Sequence, residues 1–260
     1  MKGTLLFLGT GASAGIPLIG CLCPVCRSQL SWNQRLRSSV LITVEETHIL
    51  VDAGPDIRQQ ALASKIMRLD GVILTHAHYD HIGGIDDLRV YNFISKKPLD
   101  CLLSIDTYEE IKRRSPYLFV PKEEGKSIPA QFHFHVMQRD FEDLFFQGIP
   151  LGTVSYSQGG MKVLGFRVGT LAYISDIREY TREVLEKIRG VEILVVSAIS
   201  QTPSLMHFTI EEAIFFAEKV GASQVWLTHL SHEIDHEKVS ERLPSHVSLA
   251  YDGLYIPFEV

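Results

Sequence analysis

Short runs of apolar, β-branched and aromatic residues recur along the whole chain. They fall at 4–8, 40–44, 48–51, 72–75, 101–104, 163–168, 171–175, 192–197 and 224–228, lengths that suit strands better than helices. Helical spacing appears between many of them. Residues 57–68 read as one helix. Residues 209–220 read as another, with Ile210, Ala213, Ile214, Ala217 and Val220 on one face. Thr209 and Glu212 supply a capping box at its start. The first runs are all strand-like and the later ones alternate with helices. That order predicts a mixed α/β layered fold and argues against an all-β sandwich. The pattern leaves two arrangements open: a Rossmann-like sheet, or two sheets covered by helices. His133 and His135 alternate with Phe132, Phe134 and Val136, a strand pattern that turns both imidazoles to solvent.

Composition narrows the reading further. The chain has 260 residues, 45% hydrophobic and 22% charged, which is ordinary for a globular protein. It contains no repeat, low-complexity tract or linker, and its length fits one large domain as well as two small ones; a single domain over 1–260 is the expectation adopted with the fold. A net charge of -6 argues against general attraction to nucleic acid or an anionic membrane. Arg35, Arg37 and Arg58 remain candidates for a local basic patch. The apolar run near the N-terminus is too short for a signal-peptide core, and no stretch approaches the roughly 20 residues of a membrane span. A cytoplasmic location is expected. The four cysteines then read as metal ligands or core thiols and not as disulfides.

The chemistry concentrates at 71–84, Gly-Val-Ile-Leu-Thr-His-Ala-His-Tyr-Asp-His-Ile-Gly-Gly. A buried strand runs straight into His76, His78, Asp80 and His81. Four donors in six residues at a strand end can converge on one point, and imidazoles with a carboxylate suit zinc, manganese or iron. The plain alternative is a solvated loop rich in histidine. Cys21, Cys23 and Cys26 are three soft donors in another six residues. Structural zinc would need a fourth, and a redox pair or reduced core thiols are the alternatives. Cys101 lies in an apolar run and reads as core. Gly9, Gly11 and Gly15 read either as a tight turn or as a loop whose amides approach a phosphate. Asp52 and Asp56 read as turn and orienting residues. No partner is evident for His48, His236 or His246, which suits surface or packing roles.

The segment 76–81 resembles the His-x-His-x-Asp-His hallmark of the metallo-β-lactamase superfamily. The resemblance implies an α/β fold of the αβ/βα four-layer sandwich type, with His76 and His78 on one metal and Asp80 and His81 on a second. It also implies that Asp176, ending 172–176, bridges the two, and that His229, ending 225–229, serves the second. Further matches narrow the resemblance to the PhnP-type cyclic phosphodiesterases: 9–17, the cysteine cluster, 52–56, 165–167, 207–209 and 228–232. The quinone-cofactor biosynthesis protein PqqB resembles the cysteine cluster too. tRNase Z shares the fold and the Gly-Thr-Gly start but lacks the cluster. By this resemblance His232 completes a structural zinc site with the three cysteines. His207 lies in the catalytic pocket as a general acid, against a plainer reading as a helix-cap histidine.

The implied reaction is hydrolysis of a small phosphodiester, cyclic phosphates included, by a metal-bound hydroxide, with Zn2+ or Mn2+ in the centre and Asp80 and His207 as its catalytic residues. The chain departs from the family at one position. Where the first metal's third histidine is expected, it carries Gln158, whose amide oxygen is a weaker donor than imidazole. Two other classes stay open: a tRNase Z-like nuclease, disfavoured by the acidic balance, and a non-catalytic accessory protein of the PqqB kind, favoured by Gln158. The expected partner is a small phosphodiester, with no nucleic acid or membrane; a homodimer is left open.

Overall fold

A computed structural model describes residues 1–120 and 128–260. Fourteen strands form two seven-stranded sheets among the described residues. The first contains β1 (Lys2–Gly9), β2 (Ser39–Val44), β3 (Thr47–Val51), β4 (Gly71–Leu74), β5 (Leu99–Ser104) and β6 (Phe132–Met137), with β14 (Tyr255–Glu259) added beside β1. The second runs in order from β7 (Asp143–Phe146) through β8 (Ile149–Gln158), β9 (Met161–Val168), β10 (Leu171–Ile174), β11 (Ile193–Ser197) and β12 (Gln224–Thr228) to β13 (Val247–Leu249). Each sheet is antiparallel on one side and parallel on the other, the change falling at β3 and at β10.

Three apolar layers hold the sandwich together. Between the sheets, Phe7, Ile42, Val51 and Ile73 meet Leu164, Phe166, Tyr173 and Val195. Outside the first sheet, Leu6, Leu50, Leu74 and Leu103 pack on Ile57 of α1 (Ile57–Ala63), Ile82 of α2 (Tyr79–Ile82), Tyr91 of α3 (Arg89–Ser95) and Ile111 of α4 (Ile105–Arg114). Outside the second, Ile174, Val196 and Leu227 pack on Ile188 of α5 (Arg182–Ile188), Phe216 of α6 (Ile210–Val220) and Val239 of α7 (His236–Ser240). Successive residues of β4 face opposite layers, yet all four are buried, which explains its unbroken apolar run. The arrangement is the four-layer αβ/βα sandwich, with Cys101 fully buried in its core.

The nine strand-like runs are all strands here, although single boundaries shift. Helix α6 begins with the expected capping box of Thr209 and Glu212 and ends at Gly221. The helix expected over 57–68 is shorter and stops at Ala63. Ile66 N donates to Ala61 O and Lys65 N to Leu62 O, a Schellman closure with Lys65 in the left-handed position, φ 53°. Glycine usually marks such an end, and its absence hid this one. Strand β8 also escaped the pattern, because Pro150, Gly152, Ser155 and Ser157 interrupt its apolar positions.

Candidate metal centre

The centre is built at strand ends. Strand β4 stops at Leu74, Thr75 to Ala77 lead to His78 in extended conformation, and α2 carries Asp80 and His81. Asp176 follows β10 and His229 follows β12. Both take left-handed backbone, φ 49° and 57°, as does Asp52 after β3 at φ 63°. Such angles are uncommon outside glycine and persist where the surroundings over-determine them. All three turn a side chain of this one centre inward.

Two donor groups share Asp176. One is His76, His78 and Asp176; the other is Asp80, His81, Asp176 and His229, and within each the donor atoms lie within 4.8 Å of one another. Asp176 Oδ2 is 3.6 Å from His76 Nε2 and 3.5 Å from His81 Nε2, while its Oδ1 is 3.2 Å from His229 Nε2. Asp80 Oδ2 lies 3.4 Å from both His81 Nε2 and His229 Nε2. Asp52 orients the group without entering it. Its Oδ2 is 2.7 Å from His81 Nδ1, and it also accepts from Thr75 N and Thr75 Oγ1 at 2.8 Å each. This fixes the Nδ1 tautomer of His81 and aims Nε2 at the carboxylates.

The charges are unbalanced. Asp52, Asp80 and Asp176 are all buried, and buried carboxylates require compensating positive charge. Burial works against ionised Asp176, but His229, His81 and His76 outweigh it and hold the carboxyl well below its usual range. Burial likewise works against a charged His81, yet Asp176 and Asp52 raise it well above the ordinary imidazole value. His76, by contrast, is pushed well down by burial and by His81. His81 Nε2 and Gln158 Oε1 are buried without a hydrogen-bond partner. Gln158 Oε1 is an unsatisfied acceptor, and a divalent cation would take the place of the proton that Asp176 and Asp52 hold on His81, so the donor set passes this test.

Gln158 ends β8 and reaches the same pocket. Its Nε2 is 2.9 Å from His207 Nε2 and 3.5 Å from Asp176 Oδ2. His207 stacks on His229 with ring centroids 5.0 Å apart. Burial first, and His229 second, push its pKa down to about 4.

A second cluster lies in the N-terminal loop. Sγ of Cys21, Cys23 and Cys26 are 3.4, 3.5 and 3.6 Å from Nδ1 of His232. Ligands of tetrahedral zinc, with bonds of about 2.3 Å to sulfur and about 2.0 Å to nitrogen, stand roughly 3.5 Å apart. Each sulfur already stands at that spacing from the nitrogen, and all four donor atoms lie within 4.8 Å of one another. Cys26 N donates to Cys23 Sγ at 3.4 Å and Leu18 N to Cys26 Sγ at 3.3 Å, contacts that favour thiolate, although burial outweighs the second and pushes the Cys26 thiol up to about 11. The first is the main reason the Cys23 pKa falls to about 6.

Several expectations need correction. Arg35 is not part of a surface basic patch: it is 2% exposed, and its guanidinium donates to Thr10 Oγ1 and the Ala250 carbonyl. Its contact with His236 Nδ1 at 2.9 Å gives that histidine the partner the sequence did not reveal. Arg37 pairs with Asp56. In the glycine-rich loop, the amides of Gly11, Ala12 and Gly15 donate to Leu36 O, Leu230 O and Ala12 O. They are spent within the protein: a Cβ at Gly9 would sit 2.0 Å from Arg37 O, and Gly15 takes a positive φ of 65°, as the tight-turn reading expects. The orienting role of Asp52 was legible only in outline, from its place with Asp56 on either side of Gly54-Pro55. No helix among the described residues is long and apolar enough to cross a membrane.

Comparison with known proteins places this geometry. The model of the beta-lactamase superfamily domain matches residues 47–230. The fold superposes on the crystal structure of a new diphosphatase from the PhnP family with a TM-score of 0.91, at 32% identity over 99% of this chain and 98% of that one. An octanoyltransferase of Porphyromonas gingivalis is 33% identical over 96% of this chain but only 50% of its own length, so the chain spans about half of that relative. Coenzyme PQQ synthesis protein B of Methylobacterium nodulans is 33% identical over 32% of this chain and 33% of its own.

Proposed function

The chain belongs to the beta-lactamase superfamily and, within it, to the PhnP family, and from that premise we propose that it is a metal-dependent phosphodiesterase acting on a small molecule, cyclic phosphates included. The observation that carries the reading is Asp176 between two donor groups, its Oδ2 beside both His76 and His81 and its Oδ1 beside His229. His76, His78 and Asp176 would hold one cation, and Asp80, His81, Asp176 and His229 another. Zinc or manganese there would supply Lewis acidity to a phosphate whose charge grows during displacement. Cys21, Cys23, Cys26 and His232 would hold a structural zinc that ties the N-terminal loop to the segment after β12.

The chain's own residues then have distinct tasks. Asp52 holds His81 by its Nδ1 proton, so that Nε2 stays available. Gln158 steers His207 through its amide. Burial first and His229 second hold the His207 pKa down to about 4, which disfavours its charged form. An anionic phosphate ester beside an imidazole raises that pKa, so His207 gains a proton with its substrate and delivers it to the leaving alkoxide.

The diphosphatase relative favours a phosphoric anhydride as an alternative scissile bond, and Gln158 favours the non-catalytic accessory reading. One panel separates them. The metal-loaded protein is assayed on an aryl phosphodiester, a cyclic nucleotide, a nucleoside diphosphate and an octanoyl thioester, the last because of the longer octanoyltransferase relative. Chelator-sensitive turnover of the diesters, lost in His78→Ala, is the expected result. Turnover of the diphosphate alone would move the assignment to anhydride cleavage. No turnover of any substrate by fully loaded protein would leave the accessory reading.

A further inference from the structure

A third group of metal donors lies outside this centre. His133 and His135 sit two residues apart on β6, the edge strand of the first sheet, and face the side away from Phe132 and Phe134, which pack on the outer helical layer. Asp100 lies on the neighbouring parallel strand β5, paired in register with His133, while His135 pairs with Leu102 on the same face. Asp100 Oδ1 is 2.9 Å from His133 Nδ1 and 2.6 Å from His135 Nε2. The two imidazoles are 4.5 Å apart between centroids. The other carboxylate oxygen accepts from Gln147 Nε2 at 2.8 Å. Burial would raise the Asp100 pKa, but the bonds from His135, Gln147 and His133 outweigh it and keep the carboxylate ionised.

We propose that Asp100, His133 and His135 form a separate, solvent-facing site for a divalent transition metal, zinc by choice of donors, with Gln147 orienting the carboxylate. Two imidazoles and a carboxylate on one face supply the donor types of a three-coordinate zinc site, leaving a fourth position for water. The side chains are 70%, 41% and 25% exposed for His133, His135 and Asp100, so a cation has a direct path in. Gln147 lies in the turn between β7 and β8, hence a metal here clips the edge of the first sheet to the second. This site is remote from the centre described above. Asp100 pairs with Gly71 at the start of β4, whereas His76 lies beyond the strand's other end, roughly 15 Å along the chain.

The test uses protein already carrying zinc in its other sites, freed of loosely held metal by gel filtration and titrated calorimetrically with Zn2+. One more zinc per chain is expected in the wild type than in the His133→Gln/His135→Gln double variant, since any loosely held metal of the catalytic centre is taken up equally by both. Gln147→Ala should bind that zinc roughly tenfold more weakly, the usual cost of an orienting partner. His133→Gln alone guards against misfolding of the double variant, because a mostly exposed ring carries little packing. Hydrolytic turnover should stay unchanged in all of them. Equal zinc uptake by wild type and by either histidine variant would overturn the site and leave a hydrogen-bonded His-Asp-His cluster.

Discussion

The two halves of the centre are built to different standards. Around Asp80, His81 and His229 every donor is buried, and Asp52 and Thr75 lock the orientation of His81. Around His76 and His78, His78 is only half-buried, and the position beside Asp176 belongs to Gln158, which also bonds His207. A pre-oriented, fully buried donor set loses little freedom on binding, whereas the other half must recruit a neutral amide or none. The comparison teaches that a shared scaffold does not give equal sites: on the proposed reading, one cation is held tightly and the other loosely.

The largest effect expected is from Asp176→Asn, which weakens both halves at once. Metal content should fall in both sites, and activity should drop by roughly a hundredfold or more, beyond what an orienting residue costs. Retention of one tight metal with near-normal turnover would mean the halves do not share this ligand. Next comes a contrast with the cysteine cluster, which touches neither half. Cys23→Ser should lose one zinc and lower the melting temperature by at least about 5 °C, as several kcal/mol of binding energy leaves a chain of this length. Unchanged melting and metal count would remove that cluster from the list of zinc sites.

Asp52→Asn sharpens the difference between the halves. It should weaken the metal at Asp80, His81 and His229 by about 10- to 100-fold and leave the other half's retention unaltered; equal loss from both halves in metal analysis would refute the asymmetry. Gln158→His is the smallest change and the most pointed. An imidazole is generally a better donor than a neutral amide oxygen, so chelator titration should find the weaker metal held several-fold more tightly. No change would place Gln158 outside the coordination shell, serving only to position His207.

The candidate centre was legible in unequal parts. His76, His78, Asp80 and His81 stand within six residues, so a strand running into a short helix is enough to bring them together. The burial of β4 and the capped start of α6 were also readable, because both depend on residues close in sequence. Asp176 and His229 became candidates only through the family resemblance, since an aspartate or histidine after a strand is commonplace. Asp52 needed β3 to lie parallel beside β4 before its carboxylate could meet Thr75 and His81. Arg35, an ordinary surface charge by sequence, is buried because the segments at Thr10 and Ala250 close over it.

By itself, then, the sequence determined the α/β alternation, the strand that delivers the first four donors and the odd glutamine at 158. Hydrophobic period and donor spacing are local properties, encoded by neighbours along the chain. The tertiary structure decided which side of the pocket each donor serves, that Gln158 lies against both Asp176 and His207, and that Asp100 meets His133 and His135. Those meetings join residues 18 to 49 positions apart. They are set by strand order and sheet register, where a slip of one residue would turn each side chain to the opposite face.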